Sequence, residues 1–251
     1  MSLLQSSTSN VLLRSLHGDD FALLESHLER TRLSVGESLY QPNEPIERVY
    51  FPESGVGSIT ALQEGGELIE VGLYGHEGLS GTAVVLGAEQ SPHASMVQVG
   101  GFTSLSISSG RLLQACGESP CLLRLFLRYT QSLAVQAPLT AASNAHYALP
   151  ERLARWLLMC HDRVDGNQIE LTHHFISMMR AVRRSGHTLE GDRCDQVQRG
   201  LVHVIDRERL EEIAGDSYGE AEAEYRRLIG SFGKGCDGMS LASAEQALSQ
   251  S

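Results

Sequence analysis

Basic and hydroxyl side chains lie close together in the segment RRSGHT, which begins at Arg183 and ends at Thr188. Guanidinium groups bind phosphate oxygens and the edges of guanine, and hydroxyl groups add contacts to the phosphate backbone. This combination predicts a contact surface for double-stranded DNA. We expect this surface to contain Arg183, Arg184, Ser185, His187 and Thr188, with His173 and Arg199 near the DNA backbone.

The chain as a whole is acidic, with a formal net charge of −11 and a pI near 5.3. This charge weighs against a protein that binds nucleic acid with its whole surface. Phosphate contacts are local, so an acidic chain can still carry one basic face. The sequence has no long uncharged apolar run and no signal-peptide pattern, which predicts a cytoplasmic protein without a membrane span.

Residues that could hold a metal or do redox chemistry are sparse. His76, Glu77 and His93 are the candidates nearest to one another in sequence, and no H-x-H pair lies among the predicted strands. The five cysteines are scattered and form no C-x-x-C pair. We therefore expect reduced thiols, no metal, no cofactor and no enzyme activity. An enzyme with a metal in a β barrel is the most distant alternative.

The first half of the chain contains the patterns of two helices followed by a β domain. Apolar residues recur at helical spacing over residues 10–30, with a break at 17–19 where Asp19 or Asp20 could cap the second helix. Short alternating segments separated by Gly and Pro cover residues 32–108 and predict a β jelly roll or barrel. Residues 109–116 predict a short helix.

A long helix is predicted from Ser119 to Tyr147, with Pro138 inside it as a source of kinking. Residues at alternating steps of three and four have the spacing of a coiled-coil seam, and the alternative is a helix that packs on its own domain. The seam of a predicted homodimer comprises Leu123, Phe126, Thr130, Leu133, Ala137, Thr140 and Asn144.

The last third of the chain has the pattern of a winged helix-turn-helix. A helix with Pro150 in its first turn is followed by a strand at residues 168–171 and by a helix that Thr172 caps. Residues 199–206 predict a hairpin, and a further helix begins near Leu210. The Gly- and Ser-rich residues 231–251 predict a flexible tail.

Several strings of the sequence carry a more specific signal: VYFPESGVGSIT, IEVGLYGHEGLSG, SPHASMVQV, ERLARWLLMCHDRV with LTHHFISMM, VRRSG and RGLVHVIDRERLE. From residue 10 to about residue 230, the chain resembles the Crp/Fnr family of bacterial transcription regulators. The resemblance implies an α+β fold with a cyclic-nucleotide-binding-like β domain (10–118), a dimerisation helix (119–147) and a winged helix-turn-helix (148–230) before the tail. It also implies double-stranded DNA and a second copy of the chain as partners, with RNA polymerase and an effector of unknown identity as further candidates.

The effector pocket that this resemblance implies departs from the cyclic-nucleotide pattern. Cyclic-nucleotide binders of the family hold the ribose with a Gly-Glu pair and the phosphate with an Arg-Ser or Arg-Thr pair. The matching places here are Gly81-Thr82 and His93-Ala94, with Gly78 nearby. Without the carboxylate and the guanidinium, the strongest charge-assisted bonds are missing. We therefore expect no dependence on cyclic AMP, and either a filled pocket or another ligand.

The predicted recognition helix is shorter than the family pattern, because only four residues separate Arg184 from Leu189. Either the helix re-forms in a shifted register through residues 190–197, which brings Glu190, Asp192 and Asp195 towards the phosphates, or the site is damaged. Two hypotheses follow. The chain is a dimeric DNA-binding transcription regulator, or it is an interaction protein of the same fold that no longer binds DNA specifically.

Overall fold

The computed structural model describes residues 4–62, 68–170 and 201–234, together with the backbone of residues 195–198. Within these residues the chain forms an antiparallel β roll, a long helix and a smaller C-terminal region of helices and short strands. The predicted α+β fold class is confirmed. No helix in this part of the chain is long and apolar enough to cross a lipid bilayer.

The β roll is one antiparallel sheet with the strand order β1-β5-β3-β4, in which β2 also pairs with β5. Alternate residues of the two long strands face inwards, so that Val49, Phe51, Leu105 and Ile107 are fully buried. The strands are β1 Glu29–Leu33, β2 Ser38–Tyr40, β3 Arg48–Leu62, β4 Leu68–Tyr74 and β5 Ala94–Ser108.

Short helices close the ends of the roll: α1 Val11–Ser15, α2 Gly18–Glu25, α3 Thr82–Val85 and α4 Ser109–Glu118, with a 3-10 turn at Gln5–Ser7. The predicted helix over residues 10–30 is wrong at its end, because β1 begins at Glu29 and pairs with β5. The predicted Asp cap is also wrong. His17 is the N-cap of α2, and the Asp20 carboxylate instead accepts a hydrogen bond from Ser119 Oγ at 2.6 Å.

The long helix α5 runs from Pro120 to His146, as predicted, and continues through Pro138. Ser119 caps it, since its hydroxyl accepts a hydrogen bond from the Leu122 amide at 3.1 Å. The buried face of α5 is apolar in its first half and polar in its second half. Its members are Leu122, Phe126, Tyr129, Ser132, Gln136 and Ser143.

The C-terminal region comprises α6 Leu149–His161, β6 Gln168–Glu170, β7 Asp195–Gln198, β8 Leu201–Val204, α7 Arg207–Ala214, a 3-10 turn at Gly215–Ser217 and α8 Glu220–Leu228. Its antiparallel sheet has the order β6-β8-β7. The predicted strand at residue 168 is confirmed. A hairpin is also present, but the predicted range of 199–206 is wrong at its start, because the first strand lies at residues 195–198. A shifted helix through residues 190–197 is wrong at its end, because residues 195–197 pair with β8.

Two hydrophobic cores join the roll to the C-terminal region. The core of the roll includes Tyr225 and Phe232 from the end of the chain. The core of the C-terminal region includes Leu73 of β4. The predicted flexible tail is therefore wrong at residues 231–234, because Phe232 is buried and the Lys234 amide donates to Asp162 at 3.0 Å. The remaining tail residues, 235–251, lie outside the described residues.

Candidate functional site

The predicted DNA-contacting residues lie outside the described residues: His173, Arg183, Arg184, Ser185, His187, Thr188 and Arg199. The elements on both sides of the basic segment are described. Strand β6 ends at Glu170, β7 begins at Asp195, and both strands pair with β8. The two ends of the predicted DNA-binding segment are therefore held on one small sheet.

Helix α6 supports this sheet. All nine residues from Leu153 to His161 are buried, which is the pattern of a helix surrounded by other elements. Seven of them, all except Arg155 and His161, share the hydrophobic core of the C-terminal region with Ile169 of β6, Val202 of β8 and Leu210 of α7. The sheet and the flanking helix α7 therefore have a rigid apolar base.

A polar network fixes the end of α6 to α7. The Arg207 guanidinium donates to Asp162 at 2.8 Å and to His161 Nδ1 at 3.1 Å. Because a guanidinium can only donate, Nδ1 must be unprotonated, so His161 Nε2 carries the proton and donates to Asn167 at 2.9 Å. Burial lowers the pKa of His161 below its usual value. His161 is therefore neutral and serves as a structural connector.

A buried ion pair joins the C-terminal region to the roll. Arg163 Nε lies 2.8 Å from Glu77 Oε1, and the two side chains are 4% and 2% exposed. Burial alone would lower the pKa of Arg163, but Glu77 and the neighbouring carboxylates raise it above its usual value. The Tyr225 hydroxyl also donates to the Glu77 carbonyl at 2.7 Å, and Arg163 stacks over Phe232. Tyr225 and Phe232, both near the end of the described chain, therefore contact the two members of the ion pair.

Gln136 fixes the middle of α5 to strand β4. Its side-chain oxygen accepts from the Leu73 amide at 2.6 Å, and its side-chain nitrogen donates to the Leu73 carbonyl at 3.1 Å. The side-chain amide of Gln136 thus makes the same two kinds of hydrogen bond with β4 that the backbone of a neighbouring strand would make. Two buried hydrogen bonds at one residue resist sliding of α5 along the roll.

The structure brings together the two segments of the predicted effector pocket, and Tyr74 lies between them. Its hydroxyl is 2.6 Å from Ser95 Oγ, next to Ala94, and it also hydrogen bonds with Ser80, next to Gly81. The Tyr74 ring approaches the backbone so closely that a Cβ atom on Gly57 would lie 2.4 Å from it. Burial raises the pKa of this hydroxyl above its usual value.

The other predicted pocket residues serve backbone geometry. A Cβ atom on Gly78 would lie 2.2 Å from the Tyr129 hydroxyl, so this position requires glycine. Gly81 has a φ of 66° and precedes α3, whose first residue is Thr82. The His93 amide donates to Ser91 Oγ at 3.1 Å.

The predicted dimer seam is wrong at Phe126, which is fully buried in the core of its own roll, 5.8 Å from the Phe51 ring. Leu123 and Leu133 are half-buried against the same core. Thr130 and Thr140 are half-buried and donate to α5 carbonyls, whereas Ala137 and Asn144 are exposed. The alternating spacing therefore describes mainly the contact of α5 with its own roll. The outward face of α5, which is exposed, is offset by about one residue from the predicted seam. It contains Arg124, Leu127, Gln131, Ala134 and Ala141.

The residues considered for metal chemistry have structural contacts instead. Glu77 pairs with Arg163, and His76 Nδ1 lies 3.3 Å from the Arg163 carbonyl. Within the described residues, no three His, Cys, Asp or Glu side chains are grouped as a metal site would require. The cysteines of this part of the chain, Cys116, Cys121 and Cys160, are free thiols.

A cavity that the sequence did not predict lies between β4, the second half of α5 and the first half of α6. Its volume is about 380 Å³, and Glu70, Arg152, Arg155 and Trp156 line it together with apolar side chains. Trp156 Nε1 donates to Glu70 Oε1 at 3.0 Å. The sequence offered one weak signal, an acidic residue within the apolar segment LIEVGLY.

No family model matches the chain. Among characterised proteins, the global nitrogen regulator of Nostoc sp. strain PCC 7120 is 29% identical over 50% of this chain and 57% of its own length. The global nitrogen regulator of Synechocystis sp. strain PCC 6803 is 28% identical over 54% of this chain and 63% of its own length. The chain thus matches less than two thirds of the length of these relatives.

Solved structures match more of the chain at lower identity. FixK2 from Bradyrhizobium japonicum is similar over 75% of this chain and 98% of its own, with a TM-score of 0.58 and 16% identity. A CRP-family transcriptional regulator from Thermus thermophilus is similar over 75% and 97%, with a TM-score of 0.57 and 16% identity. A CRP/FNR-family regulator from the same organism is similar over 74% and 98%, with a TM-score of 0.53 and 16% identity. These comparisons, with the β roll, the long helix and the small C-terminal sheet, show that the chain has the fold of the Crp/Fnr transcription regulators.

Proposed function

We propose that this chain is a dimeric, DNA-binding transcription regulator of the Crp/Fnr type. The three-stranded sheet β6-β8-β7 carries the proposal, because it holds both ends of the segment that contains Arg183, Arg184 and Ser185. A chain segment whose two ends are fixed can present basic side chains to a DNA groove in a constant orientation. The division into residues 10–118, 119–147, 148–230 and 231–251 is part of this proposal, with the first residues of the tail packed against the roll.

The proposed regulator does not depend on cyclic AMP. Tyr74 lies where the two segments of the effector pocket meet, and its hydroxyl already bonds with Ser95 and Ser80. The segments Gly81-Thr82 and His93-Ala94 also offer neither a carboxylate for a ribose nor a guanidinium for a phosphate. The relatives from Nostoc and Synechocystis, which are described as nitrogen regulators, support a signal of another kind.

The proposed dimer forms through the outward face of α5. This face carries Leu127, which is 40% exposed, and the small residues Ala134 and Ala141. Small side chains allow two helices to approach closely, and a two-fold axis along α5 would place the two C-terminal regions side by side. Such a dimer would present two DNA-binding segments to adjacent grooves of one duplex.

The test is a DNA titration of the purified full chain at two salt concentrations. Promoter fragments from the chain's own genome, selected by repeated rounds of binding, serve as the probe and are compared with a scrambled fragment. We expect specific binding that weakens with salt and falls by about tenfold or more in Arg183→Ala/Arg184→Ala. The matched control, Arg30→Ala/Arg32→Ala, removes the same charge from β1 and should leave the Kd unchanged.

Equal affinity for selected and scrambled fragments would reject a specific regulator and support the interaction protein of the same fold. An equal loss of affinity in both double variants would mean that net charge, and not the basic segment, drives binding. Light scattering of the same samples should give the mass of two chains. A single-chain mass with full DNA binding would reject the dimer.

A further inference from the structure

The cavity beside Trp156 has walls from both parts of the molecule. Strand β4 contributes Glu70 and Leu73, while α6 contributes Arg152, Leu153 and Trp156. Its volume of about 380 Å³ lies in the range of small-molecule sites. The predicted effector residues at 78–82 and 93–94 do not line it, so the cavity is distinct from that pocket.

Two buried polar atoms of residues that line the cavity have no partner among the described residues. They are Glu70 Oε2 and Arg152 Nε. A buried donor or acceptor without a hydrogen bond destabilises the folded protein, so native structures rarely leave one unsatisfied. Two such atoms in one cavity indicate an occupant that can hydrogen bond with both.

The charge of the wall indicates the chemistry of the occupant. Burial raises the pKa of Glu70 to about 8, against the opposing effects of the Trp156 hydrogen bond and the nearby Arg155. At neutral pH this carboxyl group therefore holds a proton that it can donate. Arg152 and Arg155 carry positive charge, and Arg155 is already bonded to the Ser217 carbonyl at 2.7 Å. The wall thus offers donors and positive charge, which suit an anionic acceptor.

The rest of the wall is apolar. Leu73, Leu153 and Met159 are buried at its base, and Leu68 and Ile69 remain 41% and 39% exposed on β4. A fully ionic ligand such as phosphate would leave this surface without a partner. An occupant with a polar end and an apolar body would cover both parts.

We propose that this cavity binds a small amphipathic carboxylic acid. Its carboxylate accepts hydrogen bonds from Arg152 Nε and from the Glu70 carboxyl group, and its apolar body packs against Leu73 and Leu153. The proposal does not rest on DNA binding, since Glu70, Arg152 and Trp156, which carry it, belong to β4 and α6.

Trp156 is the only tryptophan of the chain, so its fluorescence reports directly on the cavity. The probe is octanoate, titrated into the full-length protein without DNA, with 1-octanol as the uncharged analogue. We expect a saturable change in emission with octanoate and a Kd at least about tenfold higher for 1-octanol. Arg152→Met should raise the octanoate Kd by about tenfold or more. Glu70→Gln, which keeps a donor, should bind octanoate like the wild type.

The matched control is Arg111→Met, which removes an exposed arginine of α4 that bonds only with Gln114 among the described residues. It should leave the octanoate Kd unchanged. The proposal is overturned if octanoate produces no saturable change, if Arg152→Met binds it as the wild type does, or if 1-octanol binds equally well. Circular dichroism of each variant confirms that it is folded, so a loss of binding cannot be assigned to unfolding.

Discussion

Removal of the buried cation from the Glu77–Arg163 pair should destabilise the protein strongly. In Arg163→Met, the Glu77 side chain, which is 2% exposed, loses the partner of one carboxylate oxygen. Among the residues that the structure describes, the other oxygen keeps only the Gly75 amide at 2.9 Å. An unpaired buried charge of this kind costs about 3–5 kcal/mol, which is a large part of the roughly 5–15 kcal/mol that holds a typical domain folded.

The assay is urea unfolding followed by Trp156 fluorescence and by far-UV circular dichroism. The matched surface variant is Arg209→Met, because Arg209 also binds a carboxylate, that of Glu212 at 2.6 Å, but the two side chains are 44% and 65% exposed. We expect it to lower the free energy of unfolding by about 0–1 kcal/mol. In the double variant Glu77→Gln/Arg163→Met, both charges are gone, so the total loss should be smaller than the sum of the single losses by about 2 kcal/mol.

Two results would refute this reasoning. If Arg163→Met costs no more than Arg209→Met, the buried pair contributes no more than an exposed one. If the losses of the two single variants add up to the loss of the double variant, the two side chains do not depend on each other.

Three further predictions concern β4 and its neighbours. Burial raises the pKa of Glu70 to about 8, against an ordinary 4.5. This shift stabilises the folded protein most below pH 4.5, and the stabilisation is lost as the pH rises towards 8. In urea titrations, the wild type should therefore lose stability relative to Glu70→Gln between about pH 5 and pH 8. Gln136→Ala should lower the free energy of unfolding by about 2–3 kcal/mol, because both backbone groups of Leu73 lose a buried partner. Gly57→Ala should lower it by about 1–3 kcal/mol, because its new methyl group would lie 2.4 Å from the Tyr74 ring, and Tyr74→Leu should relieve part of this loss.

Each of these predictions has a simple control. A pH slope that is the same in the wild type and in Glu70→Gln would contradict the first. Gln131→Ala removes an exposed amide of α5 and should cost little, so a loss equal to that of Gln136→Ala would contradict the second. Gly18→Ala introduces a methyl group with no atom within 4 Å, and a comparable loss there would contradict the third.

The fold could be predicted from the sequence where the apolar periodicity had one interpretation. The alternation in VYFPESGVGSIT and the turns of Gly and Pro placed the roll, and the length of the pattern from Ser119 placed α5. The seam was wrong at Phe126 because the same three-and-four spacing describes two different contacts. A helix that packs on its own roll and a helix that packs on a second chain both need an apolar stripe.

The contacts that join the roll to the C-terminal region could not be predicted from the sequence. Glu77 and Arg163 are 86 residues apart, and no local pattern relates residues at such a distance. The tail was misjudged for the same reason, because Phe232 is one aromatic residue among Gly and Ser, and the Tyr225 and Arg163 side chains that pack against it come from other elements. Composition indicates flexibility only when no distant surface is available to bind the few apolar residues.

Residues 70–77 connect the roll to both α5 and α6. Within this short stretch Glu70 bonds with Trp156, Leu73 bonds with Gln136, and Glu77 bonds with Arg163. A rotation of α6 against the roll must therefore keep or break the Glu70–Trp156 and Glu77–Arg163 contacts. A ligand that moves Trp156 would therefore also act on the Glu77–Arg163 pair just beyond the end of α6, because both contacts join α6 and the residues after it to the same short stretch of the roll.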